Sequence, residues 1–178
     1  MGDSDAELVR GCLKGNSQSQ SALYHRYEGR MYGICLRYAR DNNDALDILQ
    51  EGFIRIFRGL HSFKGKSPLA NWMDRVMANA AIRYISKNKR ISFEEEAKLD
   101  RLMKTYDEQH SQIHAKDIIG LIMQLPIGYR TVFNMFAIEG YSHKEIANQL
   151  GITEGGSRSQ YFRAKKAIQN LLRENEMI

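Results

Sequence analysis

The chain has 178 residues, of which 26 are basic and 21 acidic, and it contains only two prolines. The scarcity of proline, the absence of alternating β-branched segments and the many helix-forming residues favour an all-α protein. No apolar run approaches the roughly 20 residues of a membrane span, and the N-terminal residues do not resemble a signal peptide, so we expect a cytoplasmic protein without membrane insertion.

Positive charge is unevenly distributed along the chain. Residues 1–92 hold 15 Lys/Arg against 9 Asp/Glu, residues 93–117 hold 4 against 7, and residues 118–178 hold 7 against 5. Two basic segments around an acidic one suggest two nucleic-acid-facing modules, although ordinary solvated helix faces would give a similar pattern. We predict modules at 1–92 and 116–178, joined by an acidic linker at 93–115.

The first module is predicted to be a bundle of four helices. Apolar residues recur at spacings of three and four along its second and third helices. The stripe in the third helix is Leu46, Leu49, Phe53, Phe57 and Leu60. The fourth helix is expected to start at Pro68, with Ser67 as its cap, and to bury Trp72, Val76 and Met77.

The second module is predicted to end in a helix-turn-helix. In the segment HKEIANQLGIT, Ala147 supplies the small residue at the helix crossing and Gly151 tolerates a left-handed turn. Thr153 is the expected cap of the second helix. Its buried face is predicted to be Ser157, Tyr161, Ala164, Ile168 and Leu171. Its outward face, suited to base edges and phosphates, is Arg158, Ser159, Phe162, Arg163 and Lys166.

Two adjacent glycines open this second helix. Glycine costs about 1 kcal/mol relative to alanine inside a helix. With Thr153 as cap, Gly155 and Gly156 occupy the second and third helical positions, whose amides have no partner within the helix. We predict that these amides approach a DNA phosphate, the alternative being a helix start that is merely frayed.

The sequence contains no pattern typical of catalysis or metal binding. The five histidines are scattered, and no phosphate-binding glycine loop or nucleophile elbow occurs. Cys12 and Cys35 have no metal-type spacing and lie within apolar helical patterns, which predicts buried free thiols. We therefore expect a protein without enzymatic activity and without a cofactor.

Two long segments resemble one protein family. Residues 44–90 resemble region 2 of the sigma-70 family, as it occurs in the small extracytoplasmic-function (ECF) members. Their sequence is DALDILQEGFIRIFRGLHSFKGKSPLANWMDRVMANAAIRYISKNKR. Residues 125–172 resemble region 4 of the same proteins. Their sequence is LPIGYRTVFNMFAIEGYSHKEIANQLGITEGGSRSQYFRAKKAIQNLL. The DxxQE core, the tryptophan helix and the helix-turn-helix follow in the family's order. The resemblance implies a bacterial transcription initiation factor that binds core RNA polymerase and promoter DNA.

The resemblance also assigns residues to three surfaces. The positions that bind the clamp helices of the polymerase β′ subunit are Asp47, Gln50 and Glu51, which a solvated acidic face would equally explain. The positions that face the melted −10 element are Lys64, Gly65, Lys66, Ser67, Pro68, Leu69, Trp72, Arg75, Asn79 and Arg83. The matching positions that face the −35 element, on a region that also docks on the β flap, are Arg158, Ser159, Phe162 and Arg163. The helix-turn-helix pattern adds Gly155, Gly156 and Lys166 to this surface.

Two positions depart from the family pattern. Many relatives carry an aromatic residue in place of Leu69, and threonine is common in place of Gly156. Because the outward face of the last helix has few cations, we expect weak −35 binding on its own. Targeting would then depend on the polymerase or a separate DNA-bound recruiter, and an anti-sigma factor is a further partner that the resemblance leaves open. A regulator that binds only duplex DNA would share the second module and is the alternative function.

Overall fold

The computed structural model describes residues 3–87 and 115–174, without the side chains of 115–119. Within these ranges every regular element is helical, which confirms the all-α prediction. The chain divides into two units, Met1–Tyr84 and Ile85–Ile178. The predicted linker at 93–115 falls almost wholly outside the described residues, and its boundaries stay a prediction.

The first unit is built from helices that start at local capping signals. Its elements are α1 (Asp5–Leu13), α2 (Ser17–Tyr38), α3 (Asn42–Gly59), a 3₁₀ turn (Leu60–Ser62) and α4 (Leu69–Lys87), whose last residues pass the unit boundary. Ser4 and Glu7 form a reciprocal capping box at α1. The Asn16 side chain caps α2, and the Asp41 carboxylate accepts the amide of Asp44 at 2.8 Å. These contacts reach only a few residues along the chain, so the helix starts follow from local sequence.

Close helix contacts at two glycines organise the core of the first unit. A Cβ atom at Gly11 would lie 2.0 Å from Ser19 Oγ, and one at Gly52 would lie 2.2 Å from Met77 Sδ. Any larger residue at these positions would therefore require the facing Ser19 or Met77 side chain to move. Buried side chains between these helices include Leu8, Leu23, Tyr27, Met31, Ile34, Tyr38, Ile48, Phe53, Ile56, Leu60, Met73, Met77 and Ile82.

The predicted apolar stripe of α3 is wrong at its first residue. Leu46 is 54% exposed, and the buried side of α3 begins with Ala45 and continues through Ile48 and Leu49. In α4, Met77 is buried as predicted, whereas Trp72 and Val76 are only half-buried. Both differences arise because a 3.6-residue period leaves the buried arc of a helix uncertain by about one position.

Polar contacts also join the helices of the first unit. Arg30 of α2 binds both carboxylate oxygens of Asp74 of α4, at 2.8 and 2.6 Å. The Tyr27 hydroxyl donates to Asp5 of α1 at 2.6 Å, and burial, followed by this carboxylate, raises the pKa of Tyr27 to about 12. Exposed ion pairs stabilise by about 0–1 kcal/mol each, so apolar packing dominates this unit.

Both cysteines are buried free thiols, as predicted. Burial raises the pKa of Cys12, and it raises the pKa of Cys35 to about 12. A thiol that does not ionise near neutral pH is a poor nucleophile and metal ligand. The two side chains therefore act as small apolar residues of the core.

The second unit consists of α5 (Ala115–Gln124), α6 (Ile127–Phe133), α7 (His143–Leu150) and α8 (Glu154–Glu174). After Pro126, α6 continues into a π turn over Asn134–Ile138. The core of the second unit contains Leu125, Tyr129, Ala164 and Ala167, with Phe133, Ile168 and Leu171 packed against them. None of the described helices has the length and hydropathy to cross a membrane.

A buried arginine ties α5 to α6. Arg130 is 5% exposed and donates to the Met123 carbonyl at 2.8 Å. Burial lowers the pKa of Arg130 to about 10, so the side chain stays charged near neutral pH. A charge held on a backbone carbonyl inside the unit fixes how α5 packs against α6.

Candidate functional site

The helix-turn-helix forms at the predicted residues. Ser142 caps α7 in a reciprocal capping box with Glu145. Gly151 follows α7 with φ 69°, in the left-handed region, and its amide donates to the Ala147 carbonyl. The Ile152 amide donates to the same carbonyl at 3.1 Å. Ala147 is buried, so both predicted turn residues occupy the roles expected of them.

The cap of α8 gives its two glycines different surroundings. Thr153 precedes the helix, and its Oγ1 accepts the Gly156 amide at 2.9 Å, which confirms the predicted cap. That amide therefore already has a partner within the protein, and the approach of a phosphate to Gly156 stays a prediction. A Cβ atom at Gly155 would meet nothing within 4 Å, whereas one at Gly156 would lie 3.1 Å from Thr153 Oγ1. Gly155 thus has the open backbone.

The outward face of α8 forms as predicted, and its buried face forms in part. Ser157 and Ala164 are buried as predicted, whereas Tyr161, Ile168 and Leu171 are half-buried. Gln160 and Ala167 are buried without having been predicted. The five residues of the predicted outward face, here called the recognition face, are all exposed: Arg158, Ser159, Phe162, Arg163 and Lys166. An aromatic ring that is 69% exposed at Phe162 has no role in the core of this unit.

A shallow groove runs from the turn onto the recognition face. It has a volume of about 570 Å³ and is lined by Gly151, Ile152, Thr153, Gly156, Ser159, Gln160 and Arg163. Arg158, beside it, pairs with Glu154 at 2.5 Å on the exposed first turn of α8. Arg163 donates weakly to the Tyr129 hydroxyl at 3.4 Å. Both guanidinium groups lie at the surface, where a phosphate can compete for them.

His143 links the two helices of the motif, and the sequence analysis did not identify it. Its ring stacks on Phe136 with centroids 4.3 Å apart, and its Nδ1 lies 2.9 Å from the buried Ser157 Oγ. Burial and then the positive charge of Arg158 lower the pKa of His143, which favours the neutral ring. The sequence signal for this contact would have been a histidine at the start of α7 and a serine on the predicted buried face of α8.

The three residues of α3 that were predicted to bind the polymerase lie toward its solvent side. Asp47 and Gln50 are exposed, and Glu51 is half-buried and pairs with Arg55 at 2.6 Å. Leu46 lies next to Asp47, and Ile54, which is 39% exposed, follows one turn after Gln50. We call this set the α3 outer face: Leu46, Asp47, Gln50, Glu51 and Ile54. The two exposed apolar side chains would add apolar area to a protein contact made by this face.

A hydrogen-bond network supports one end of the α3 outer face. The Arg40 guanidinium binds the buried Asp44 carboxylate at 2.5 and 2.9 Å, which holds the pKa of Asp44 below its usual range. The Tyr84 hydroxyl lies 3.0 Å from Asp44 Oδ1 and 3.3 Å from Asp47 Oδ2. Burial, followed by the Asp44 carboxylate, raises the pKa of Tyr84 to about 12.

The loop before α4 exposes its polar residues and hides its apolar one. Lys64, Lys66 and Ser67 are exposed, and Gly65 adopts φ 67° between the two lysines. Leu69 starts α4 and is 4% exposed, so its side chain belongs to the core. The Asn71 amide bonds to the Pro68 carbonyl, which places the helix start one residue after the predicted position.

Three predicted residues of α4 recur every four positions along one side of the helix. Arg75 and Arg83 are exposed, and Asn79 is half-buried between them, with its Nδ2 donating to the Arg75 carbonyl at 2.8 Å. Trp72 lies at the start of this row, with its ring 5.6 Å from that of Phe63 and against Gly59. The tryptophan thereby fixes the position of the loop relative to the helix.

Comparison with known proteins matches both units to one family. The model of sigma-70 region 2 matches residues 23–91, and the model of sigma-70 region 4 matches residues 115–168. The ECF RNA polymerase sigma-E factor of Haemophilus influenzae is 28% identical over 93% of this chain and 94% of its own length. The RNA polymerase sigma-H factor of Pseudomonas aeruginosa is 29% identical over 97% of each chain.

A solved structure among those that match is similar at lower identity. It contains the sigma factor RpoE in complex with the anti-sigma factor NepR from Bartonella quintana. The match has 16% identity and a TM-score of 0.45, and it covers 86% of this chain and 96% of the other.

Proposed function

The chain belongs to the sigma-70 family, as an ECF-type alternative sigma factor of transcription initiation, and we propose that three of its surfaces divide the work of polymerase and promoter binding. The observation that carries this proposal is the α3 outer face, where Leu46 and Ile54 are exposed around Asp47 and Gln50. A factor that acts on RNA polymerase works in the cytoplasm and itself catalyses no reaction.

The α3 outer face is proposed to bind the clamp helices of the β′ subunit. An exposed carboxylate beside an exposed leucine can form a charged contact at the rim and an apolar contact at the centre. Leu46 was expected in the core, and its exposure instead adds apolar area to this surface. Region 4 is proposed to add a second contact, with the β flap.

The loop before α4 and the Arg75–Asn79–Arg83 row are proposed to hold the melted −10 strand. Extruding a base from the stack costs a few kcal/mol, so a surface that binds the extruded base stabilises strand opening. Lys64, Lys66 and Ser67 are exposed and suited to this contact. Leu69 is buried, so we assign it to loop support instead of base contact.

The recognition face of α8 is proposed to contact the −35 element. Arg158 and Arg163 supply charge, Ser159 a hydroxyl, and Phe162 an exposed ring that can pack against base edges. The alternative of a regulator that binds only duplex DNA leaves the first unit without a role. The match of that unit to sigma-70 region 2 favours the sigma factor.

The polymerase contact is tested by substitution on α3. Asp47→Ala combined with Gln50→Ala should weaken binding to core RNA polymerase by about 30-fold, because truncating a partly desolvated interfacial charge costs about 2 kcal/mol or more. Binding is measured by titrating labelled sigma factor with core enzyme, and helicity by circular dichroism.

A matched control removes one amide and one carboxylate from α2. Gln18→Ala combined with Glu28→Ala alters exposed or half-exposed residues outside the α3 outer face and should leave the affinity within about twofold of the wild-type chain. Wild-type affinity in the Asp47/Gln50 variant, at wild-type helicity, would exclude the α3 outer face as the polymerase contact.

A further inference from the structure

The hydroxyl of Tyr84 lies between two carboxylates of α3. It is 3.0 Å from Asp44 Oδ1 and 3.3 Å from Asp47 Oδ2. Among the hydrogen bonds and ion pairs found in residues 3–87, the Tyr84 contact is the one that reaches Asp47. Tyr84 belongs to α4, so this contact crosses from one helix to the next.

The two carboxylates depend on Tyr84 to different degrees. Asp44 is buried and binds the Arg40 guanidinium through both oxygens, so its charge is balanced without the phenol. Asp47 is exposed and lies on the α3 outer face. A phenol has one proton, which the two carboxylates share, with Asp44 as the nearer acceptor. Loss of the hydroxyl leaves Asp44 with its arginine and removes from Asp47 its shared contact.

We propose that Tyr84 is a positioning residue of the polymerase contact, which holds the Asp47 carboxylate in one orientation on the α3 outer face. This inference rests on the proposed role of Asp47 in polymerase binding. An exposed aspartate samples several rotamers, and a carboxylate that is already oriented loses less side-chain freedom on binding. Tyr84 directly follows Arg83, so one helix would carry both promoter contacts and the support of a polymerase contact.

The test is a double-mutant cycle on full-length chains binding core RNA polymerase. Tyr84→Phe should weaken binding by about two- to tenfold, the range expected for losing the orientation of one side chain. Asp47→Asn should weaken binding further. The double variant should bind as weakly as Asp47→Asn alone, because the hydroxyl acts through that carboxylate.

Tyr27→Phe is the matched control. Tyr27 also donates to an aspartate across two helices of the first unit, at 2.6 Å to Asp5, but lies away from the α3 outer face. Removal of the Tyr27 hydroxyl should lower thermal stability as Tyr84→Phe does and leave polymerase affinity unchanged. The comparison separates an effect on the Asp47 orientation from a general loss of stability. Each titration is done at a temperature at which every variant retains its full helicity.

The outcomes distinguish this inference from the function on which it rests. Wild-type affinity for Asp47→Asn would refute the polymerase role proposed for Asp47. Weak binding by Asp47→Asn, together with wild-type binding by Tyr84→Phe, would overturn only the positioning role. Losses that add in the double variant, or an equal loss in Tyr27→Phe, would show that Tyr84 acts on stability and would also overturn it.

Discussion

Gly155 and Gly156 are neighbours in α8 with different surroundings, and this difference gives a prediction. Gly155→Ala places its methyl group in open space and should stabilise the protein by up to about 1 kcal/mol. If a phosphate approaches the Gly155 amide, the same change should weaken binding to a −35 duplex severalfold. Gly156→Ala should stabilise less, because its methyl group lies 3.1 Å from the cap oxygen of Thr153. Thermal unfolding measures the stability change, and titration of a −35 duplex measures the change in affinity. Unchanged DNA affinity in Gly155→Ala would contradict the phosphate contact and favour the alternative of a frayed helix start.

At the scale of elements, α4 combines a core face with a row of residues that are proposed to face the melted −10 strand. Asn79 is half-buried between Arg75 and Arg83, and its amide is held by its own helix. Asn79→Ala should therefore reduce transcription from a closed promoter severalfold, and reduce it less from a template pre-melted over the same −10 bases, since the opening cost is already met there. Transcript yields on the two templates are compared. Binding to a −35 duplex is the control, and an equal loss there would contradict a role confined to the melted strand.

At the scale of the whole molecule, we expect the low net charge of residues 118–178 to limit duplex binding. Residues 118–178 carry 7 basic against 5 acidic residues, and Arg158 already pairs with Glu154. With about three phosphate contacts, the log–log salt dependence of binding to a −35 duplex should have a slope of about −3. Arg158→Ala combined with Arg163→Ala should flatten the slope by about 2. Nanomolar affinity at physiological salt with a slope steeper than about −5 would mean that −35 binding needs no help from polymerase or a recruiter.

The sequence by itself determined the features that depend on short stretches of chain. The all-helical class, the capping threonine at Thr153 and the left-handed turn at Gly151 each follow from a few neighbouring residues, and the structure confirms them. The separation of α8 into a buried and an exposed face was also predictable, because polar and apolar residues alternate there with a clear helical period. Family membership likewise followed from linear motifs, and the matches to both regions support it.

Only the tertiary structure decided how the helices use their side chains. Leu46 was predicted to be buried and Leu69 to face the −10 element, yet Leu46 is exposed on α3 and Leu69 is buried at the start of α4. Their hydrophobicity is the same, and the position of the neighbouring helix determines which of them finds a core. The contact of Tyr84 with Asp47 joins residues 37 positions apart. Such a contact depends on the packing of α4 against α3, which no local pattern encodes.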